Sequence, residues 1–186
     1  MRADAKANRN RLIEVAREGF GQRGLALSIH EIARNAGVGV GTVYRHFPTK
    51  DSLFEAIILG RVERLVDLAR SLAGNAGPGE AFFQFLRAWV AEGVAKRDLV
   101  DAITAEGFDV RRATSGAAQE LRGAIGNLLT HAQEAGAVRA DIDFGDLMAL
   151  LAGTSLALRQ AGDAKLAARL LAVVSDGLRA GAARQV

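Results

Sequence analysis

Cysteine is absent from this chain, proline occurs twice, and tyrosine and tryptophan occur once each. The lack of cysteine excludes a disulfide framework and thiolate chemistry. No apolar run approaches the ~18 residues of a membrane span, and residues 1–11 are polar, without the apolar core of a signal peptide. We therefore expect a cytoplasmic protein that does not bind membranes.

Residues that favour helices make up much of the chain. Alanine, leucine and arginine are abundant, and alternating β-branched runs are few. With 186 residues the chain is long enough to bury a sizeable core. The composition therefore predicts an all-α fold.

Charge is distributed unevenly along the chain. The first 50 residues contain nine Lys or Arg against four Asp or Glu, a net charge of +5. The other 136 residues contain fifteen against seventeen, a net charge of −2. A basic N-terminal part suits a polyanion partner, although an ordinary solvated basic face explains the same charge.

Helical spacing and capping signals predict three helices before residue 48. Apolar residues recur at helical spacing over Ala5–Arg23. Ser28–Glu31 has the form of a capping box that opens a short helix, and Gly37 suits its left-handed end. A third helix is predicted over Gly39–His46, and Pro48 ends it.

A longer helix should begin at the cap Thr49 and end near Leu72. The glycine-rich segment Gly74–Gly79 is the best candidate for the connection that follows. Further helical patterns cover residues 80–95, 98–106, 114–135, 144–161 and 164–180.

The segment from residue 28 to residue 47 has the pattern of a helix-turn-helix. Such a motif needs a small residue where its helices cross, a glycine at the turn and an aliphatic residue that packs back. Ala33, Gly37 and Val43 meet these needs in order. With Val43 and Phe47 assigned to the buried side of the third helix, the exposed side should carry Val40, Thr42, Tyr44, Arg45 and His46.

The exposed set suits DNA. Arg45 can donate a bidentate pair to guanine, and Val40 and Thr42 can contact a thymine methyl group. The residues suited to phosphate oxygens are Ser28, Tyr44, His46 and Lys50. Each side chain also has an alternative role inside the protein, as a helix cap, a packed ring or a solvated charge.

Residues 9–58 resemble the DNA-binding domain of the TetR family of bacterial transcriptional regulators. The matching stretches read RLIEVAREGFGQRG and SIHEIARNAGVGVGTVYRHFPTKDSLFEAI. The resemblance implies an all-helical homodimer whose N-terminal helices bind double-stranded operator DNA. It also implies that the C-terminal helices hold an inducer pocket and the dimer interface. Members of the family usually act as repressors, so we expect a repressor that binds a palindromic operator.

We place the functional boundary inside the long helix predicted from Thr49 to Leu72. Residues 1–50 are then expected to form a helix-turn-helix DNA-binding domain, and residues 51–186 a helical ligand-binding and dimerisation domain. The position before Gly41 is often polar or basic in the family and is Val40 here, so the base preference should differ there. Carried over by position, the family's DNA contacts fall on Ser28, Val40, Gly41, Thr42, Tyr44, Arg45, His46 and Lys50.

The helix predicted over residues 144–161 is apolar nearly all round, which indicates burial on both sides. Two arrangements would bury both sides of this helix. One is a dimer in which it packs together with residues 164–180 in a four-helix arrangement between two copies, and the other is a central position in the core of one chain. Candidates to line the pocket of an unidentified small-molecule inducer, with Trp89 and Phe108 preferred, are Phe82, Phe85, Trp89, Phe108, His131, Met148 and Gln160. A helical core needs such residues in any case.

An enzyme is the first rival class. The GVGVGT stretch from Gly37 follows a helix and lacks dinucleotide-binding spacing, and neither a P-loop nor a GxSxG motif occurs. His30, His46 and His131 have no metal-ligand spacing. We therefore expect no catalysis, metal or cofactor. Two alternatives stay open: a helical binding or assembly protein that does not bind DNA, and a constitutive DNA-binding regulator or activator without an inducer.

Overall fold

The computed structural model describes residues 2–95, 103–104, 107–161 and 164–181. Within these residues the chain is all-α, as predicted, and contains no strand beyond one isolated bridge between Val138 and Arg179. The helices are α1 (Arg2–Arg23), α2 (Ile29–Ala36), α3 (Val40–His46), α4 (Lys50–Asn75), α5 (Pro78–Ala95), α6 (Val110–Glu134), α7 (Phe144–Ala161) and α8 (Ala164–Leu178). A short 3-10 turn, Gly24–Ala26, joins α1 to α2.

Local signals determine the ends of the first helices as predicted. Ser28 Oγ accepts from the Glu31 N–H at 3.3 Å, and the Glu31 carboxylate accepts from the Ser28 N–H at 3.0 Å, which completes the capping box. Gly37 ends α2 with φ 69° and ψ 32°, a left-handed conformation. Thr49 Oγ1 accepts from the Ser52 N–H at 3.0 Å at the start of α4.

The end of α4 differs from the prediction. The helix continues past Leu72 to Asn75, and only Ala76 and Gly77 separate it from α5. Pro78 occupies the first position of α5, where its missing N–H has no intrahelical acceptor to lose. The glycine-rich segment is therefore mostly helical, because its proline starts a helix instead of breaking one.

The start of α6 also differs from the prediction. The helix begins at Val110 rather than near residue 114, because the Asp109 carboxylate accepts from the Arg112 N–H at 3.0 Å and caps it. The helix predicted over residues 98–106 lies outside the described residues except for 103–104.

The chain divides into two compact units. The N-terminal unit contains Met1–Val62 and Asp98–Ala117, and the C-terminal unit contains Glu63–Arg97 and Ala118–Val186. The N-terminal unit extends past residue 50 because the first turns of α4 bury Leu53 and Phe54 in its core, where Ile103 is also fully buried. The functional boundary after residue 50 stays a prediction.

In the C-terminal unit, α5, α7 and α8 pack against one another. Val90, Leu158 and Ala167 form a buried cluster among these helices. The loop after α6 packs closely against the first turn of α5. A Cβ added to Gly79 in that turn would lie 2.5 Å from the Cβ of Ala137 in the loop. A glycine is therefore required at this contact.

Helix α7 is buried on one side only in the single chain. Leu147, Leu151 and Leu158 are buried. In contrast, Leu150 is 41% exposed and Leu156 is 49% exposed, and Val173 on α8 is 69% exposed. We call these three residues the exposed apolar set. The prediction that α7 is buried on both sides is therefore not met within one copy of the chain.

Candidate nucleic-acid interface

Helices α2 and α3 form a helix-turn-helix. The turn is closed by two backbone hydrogen bonds, from the Gly37 N–H to the Arg34 carbonyl at 3.1 Å and from the Val38 N–H to the Ala33 carbonyl at 3.0 Å. Ala33 is 1% exposed and Val43 is fully buried, so the small residue and the aliphatic residue occupy the predicted crossing.

Helix α3 has one buried and one exposed face. Val43 and Phe47 are buried, as predicted. Tyr44 is 46% exposed, and Arg45 is exposed beside it. Gly41 lies one turn before these two side chains and is also exposed. These three residues therefore form the most accessible face of the helix.

The expectation that Val40 is exposed is wrong. Val40 is half-buried and packs against the core of the N-terminal unit. The reason is helical register, because residues 40, 43 and 47 share one face of a helix. Thr42 and His46 flank that face and are also half-buried, so the expectation that they are exposed is wrong as well.

Lys50 is engaged within the N-terminal unit. Its Nζ donates to the Leu25 carbonyl at 2.6 Å. The same ammonium lies 5.7 Å from the ring centroid of Phe20 and 5.5 Å from that of Phe54. The side chain therefore ties the start of α4 to α1 and to the 3-10 turn. Its ammonium keeps further N–H donors for a phosphate oxygen.

Ser28 is committed to its helix cap. Its hydroxyl donates to the Glu31 carboxylate at 2.9 Å and accepts from the Glu31 N–H. The same carboxylate accepts from Arg23 at 2.6 Å. Hydrogen bonds from Ser28, together with Arg23, lower the pKa of Glu31 to about 2. A phosphate must therefore compete with an ionised carboxylate for the Ser28 hydroxyl proton.

Arg9 is an interface candidate that the sequence reasoning missed. Its guanidinium lies over the Phe47 ring, 5.3 Å from the centroid, directly after the end of α3. The Phe47 ring also lies 6.2 Å from that of His46. The sequence feature that could have indicated Arg9 is its position one turn before Leu12, at the edge of the buried face of α1.

The residues proposed for an inducer pocket have different environments. Phe82 and Phe85 are fully buried, Trp89 and Met148 are half-buried, and His131 is exposed. The rings of Phe85 and Trp89 lie 6.2 Å apart.

Phe108 belongs to the N-terminal unit. Its ring lies 6.4 Å from that of Phe54 in an edge-to-face arrangement. The side chain of Gln160 is outside the described residues.

In the described ranges, no group of three or more His, Cys, Asp or Glu residues could hold a metal ion. None of the described helices is both long and apolar enough to cross a membrane.

Two family descriptions match the chain. Residues 12–57 match "Bacterial regulatory proteins, tetR family", which covers the helix-turn-helix. Residues 77–180 match "Transcriptional regulator SbtR-like, C-terminal domain". An HTH-type transcriptional regulator of Staphylococcus aureus strain USA300 is 44% identical over 59 residues, which cover 31% of this chain and 32% of that protein's length.

Solved structures resemble the whole chain. A TetR transcription regulatory protein from Mycobacterium vanbaalenii is 46% identical, with a TM-score of 0.82 over 96% of this chain and 98% of that one. A TetR transcriptional regulator from Streptomyces coelicolor is 35% identical, with a TM-score of 0.78 over 93% and 99% of the two chains. With its helix-turn-helix and its all-helical C-terminal part, the chain therefore belongs to the TetR family of bacterial transcriptional regulators and carries that family's N-terminal DNA-binding domain.

Proposed function

We propose that this protein is a ligand-responsive repressor that binds a palindromic operator as a homodimer. In this proposal a small molecule bound among the C-terminal helices releases it from DNA. The observation that carries the proposal is the polar face of α3, where Tyr44 and Arg45 are exposed while Val43 and Phe47 hold the helix on the core. A rigidly held helix with an accessible polar face suits the major groove.

The exposed Arg45 donates to guanine O6 and N7 in this proposal, and Thr42 contacts a neighbouring base. Val40 is half-buried at the first turn and has no hydrogen-bonding group in its side chain. It can therefore make only an apolar contact with a base there. Phosphate contacts come from Ser28, Tyr44, His46 and Lys50. Gly41 has no atom within 4 Å of the position that a Cβ would take, so the backbone can approach DNA closely there.

The exposed apolar set supports a homodimer. Leu150, Leu156 and Val173 lie on α7 and α8, which pack against each other in the C-terminal unit. A second copy that presents the same two helices would cover these side chains in a four-helix packing. Dimerisation also places two copies of α3 on the two halves of a palindrome.

Helix α4 is the proposed link between ligand and DNA. It begins at Lys50 within the N-terminal unit and continues through the C-terminal unit to Asn75. A ligand that favours one position of this helix changes the separation of the two α3 helices and lowers operator affinity. Identical half-site separation in liganded and free dimers would contradict this link.

Selection of bound sequences from a random DNA pool tests the proposal. The expected result is a palindrome whose half-sites are one helical turn, or a multiple of it, apart. Recovery of single half-sites would contradict the dimer. A binding constant that does not change with salt concentration would contradict DNA binding itself.

A constitutive regulator without an inducer is the second candidate. The compounds to test for release of the operator are the small molecules made or imported by the proteins that the neighbouring genes encode. Release of the operator by one of them supports the repressor proposal. If the operator stays bound in the presence of all of them and they leave Tm unchanged, the constitutive alternative is favoured.

A further inference from the structure

Two arginines of α1 reach opposite ends of α3. The guanidinium of Arg9 lies 5.3 Å from the centroid of the Phe47 ring, directly after the last residue of α3. The Nη2 atom of Arg11 lies 3.9 Å from the position that a Cβ would take on Gly37, just before the first turn of α3. The same helix thus places a cation near each end of α3.

These two guanidinium groups differ from those of Arg17 and Arg23, the other arginines of α1 whose side chains the structure describes. Arg17 pairs with Glu14, and Arg23 pairs with Glu31 at 2.6 Å. Both Arg9 and Arg11 are exposed, and among the described residues no carboxylate forms an ion pair with either. Their charges are therefore available to an anion outside the protein.

The geometry of DNA gives this arrangement a use. A helix of seven residues is about 10 Å long at 1.5 Å per residue, close to the about 12 Å width of the major groove. The groove is bordered by phosphate groups on both sides, so cations beside both ends of a helix that lies across the groove face two phosphate backbones. Arg9 can stack on Phe47 by one face and still present N–H donors from its edge.

We infer that Arg9 and Arg11 bind DNA phosphates on the two sides of the groove that α3 enters. This inference rests on the proposed entry of α3 into the groove. Neither residue is among the DNA contacts carried over from the family. The contacts are independent of base sequence, and they hold α3 in register while Arg45 reads bases.

The test measures the salt dependence of binding to a labelled double-stranded DNA of fixed, unselected sequence. The variants are Arg9→Gln, Arg11→Gln and the double variant. The control is Arg87→Gln, which removes the same charge from an exposed position of α5 in the C-terminal unit. Each lost phosphate contact lowers the slope of log K against log salt by about 0.9 per bound domain. The double variant should lower the slope by the sum of the two single effects, and the control should keep the wild-type slope.

Further variants separate phosphate binding from packing. Arg9→Lys keeps the charge and should restore most of the slope. A lower Tm for Arg9→Gln with an unchanged slope would show that Arg9 only packs on Phe47, and would overturn the inference for this residue. Arg11→Gln does not disturb that ring contact, so an unchanged slope there overturns the second contact. A flat salt response of the wild-type protein would instead overturn the proposed DNA binding.

Discussion

At the scale of single residues, helical register divides the residues from Val40 to Phe47 between two faces. Val40, Val43 and Phe47 share the face that packs on the core. Tyr44 and Arg45 lie opposite and are exposed. Since Val40 is half-buried, base discrimination should depend chiefly on Arg45, the one exposed side chain here with a bidentate donor geometry.

Replacement of Arg45 by alanine should weaken operator binding by about 1–3 kcal/mol and relax base choice at one position of each half-site. The measurement is a binding series with the selected operator and its single-base variants. Lys50→Ala is the comparison, because loss of a phosphate contact should weaken all these sequences alike. It also removes the hydrogen bond to Leu25 and should lower Tm. Equal sequence preference in wild type and Arg45→Ala would contradict the role of Arg45.

Glu31 should make stability depend on pH in the acid range. Its pKa is about 2 in the folded protein against a usual value of 4.5, so its ionised form stabilises the fold above pH 4.5. This contribution is lost as the pH falls from 4.5 towards 2. Thermal melts should therefore show a lower Tm for Glu31→Gln than for wild type at neutral pH.

The difference in Tm between Glu31→Gln and wild type should shrink steadily below pH 4.5. Glu63→Gln, on an exposed position of α4, is the matched control for loss of a carboxylate. An equally large difference near pH 2 would show that the capping hydrogen bonds, and not the charge, carry the effect.

At the scale of elements, the α2–α3 connection depends on one glycine. Gly37 has a positive φ of 69°, and a Cβ there would make only an ordinary contact with Arg11 at 3.9 Å. Backbone strain, and not crowding, is therefore the reason for glycine at this position. Gly41 differs from it, because it lies inside α3 with open space around it.

Gly37→Ala should lower the free energy of unfolding by about 1–2 kcal/mol, the cost of a left-handed conformation for a residue with a Cβ. Gly41→Ala should raise it by up to about 1 kcal/mol, because alanine favours a helix. Denaturant unfolding measures both changes. If the backbone at Gly41 approaches DNA closely, the stabilised variant should still bind the operator more weakly. Equal stability changes of the same sign would contradict this difference between the two glycines.

At the scale of the whole molecule, the exposed apolar set determines the proposed assembly. Val173→Asp places a carboxylate where the second copy would bury Val173, at a cost on the order of several kcal/mol. The variant should sediment as a monomer and lose the affinity gained when two linked domains bind two half-sites. Thr130→Asp, at an exposed position of α6, should leave the dimer intact. A Val173→Asp dimer of wild-type stability would exclude α8 from the interface.

Much of the fold was predictable because its signals are local. The Ser28–Glu31 capping box, the left-handed Gly37 and the Thr49 cap act within a few residues, and each lies where the sequence pattern placed it. The same local reasoning made the connection at Gly74–Gly79 too long, since Pro78 starts a helix there. Asp109 was also missed as the cap of α6, although aspartate is a preferred residue at that position.

The sequence by itself determined the all-α class, the caps of the first helices and the helix-turn-helix, because helical periodicity and capping act between near neighbours. Only the tertiary structure decided that Lys50 donates to Leu25 and that Phe108 packs on Phe54. It also placed Arg9 on Phe47. These contacts depend on where helix faces meet in space, and sequence periodicity does not specify which distant faces meet.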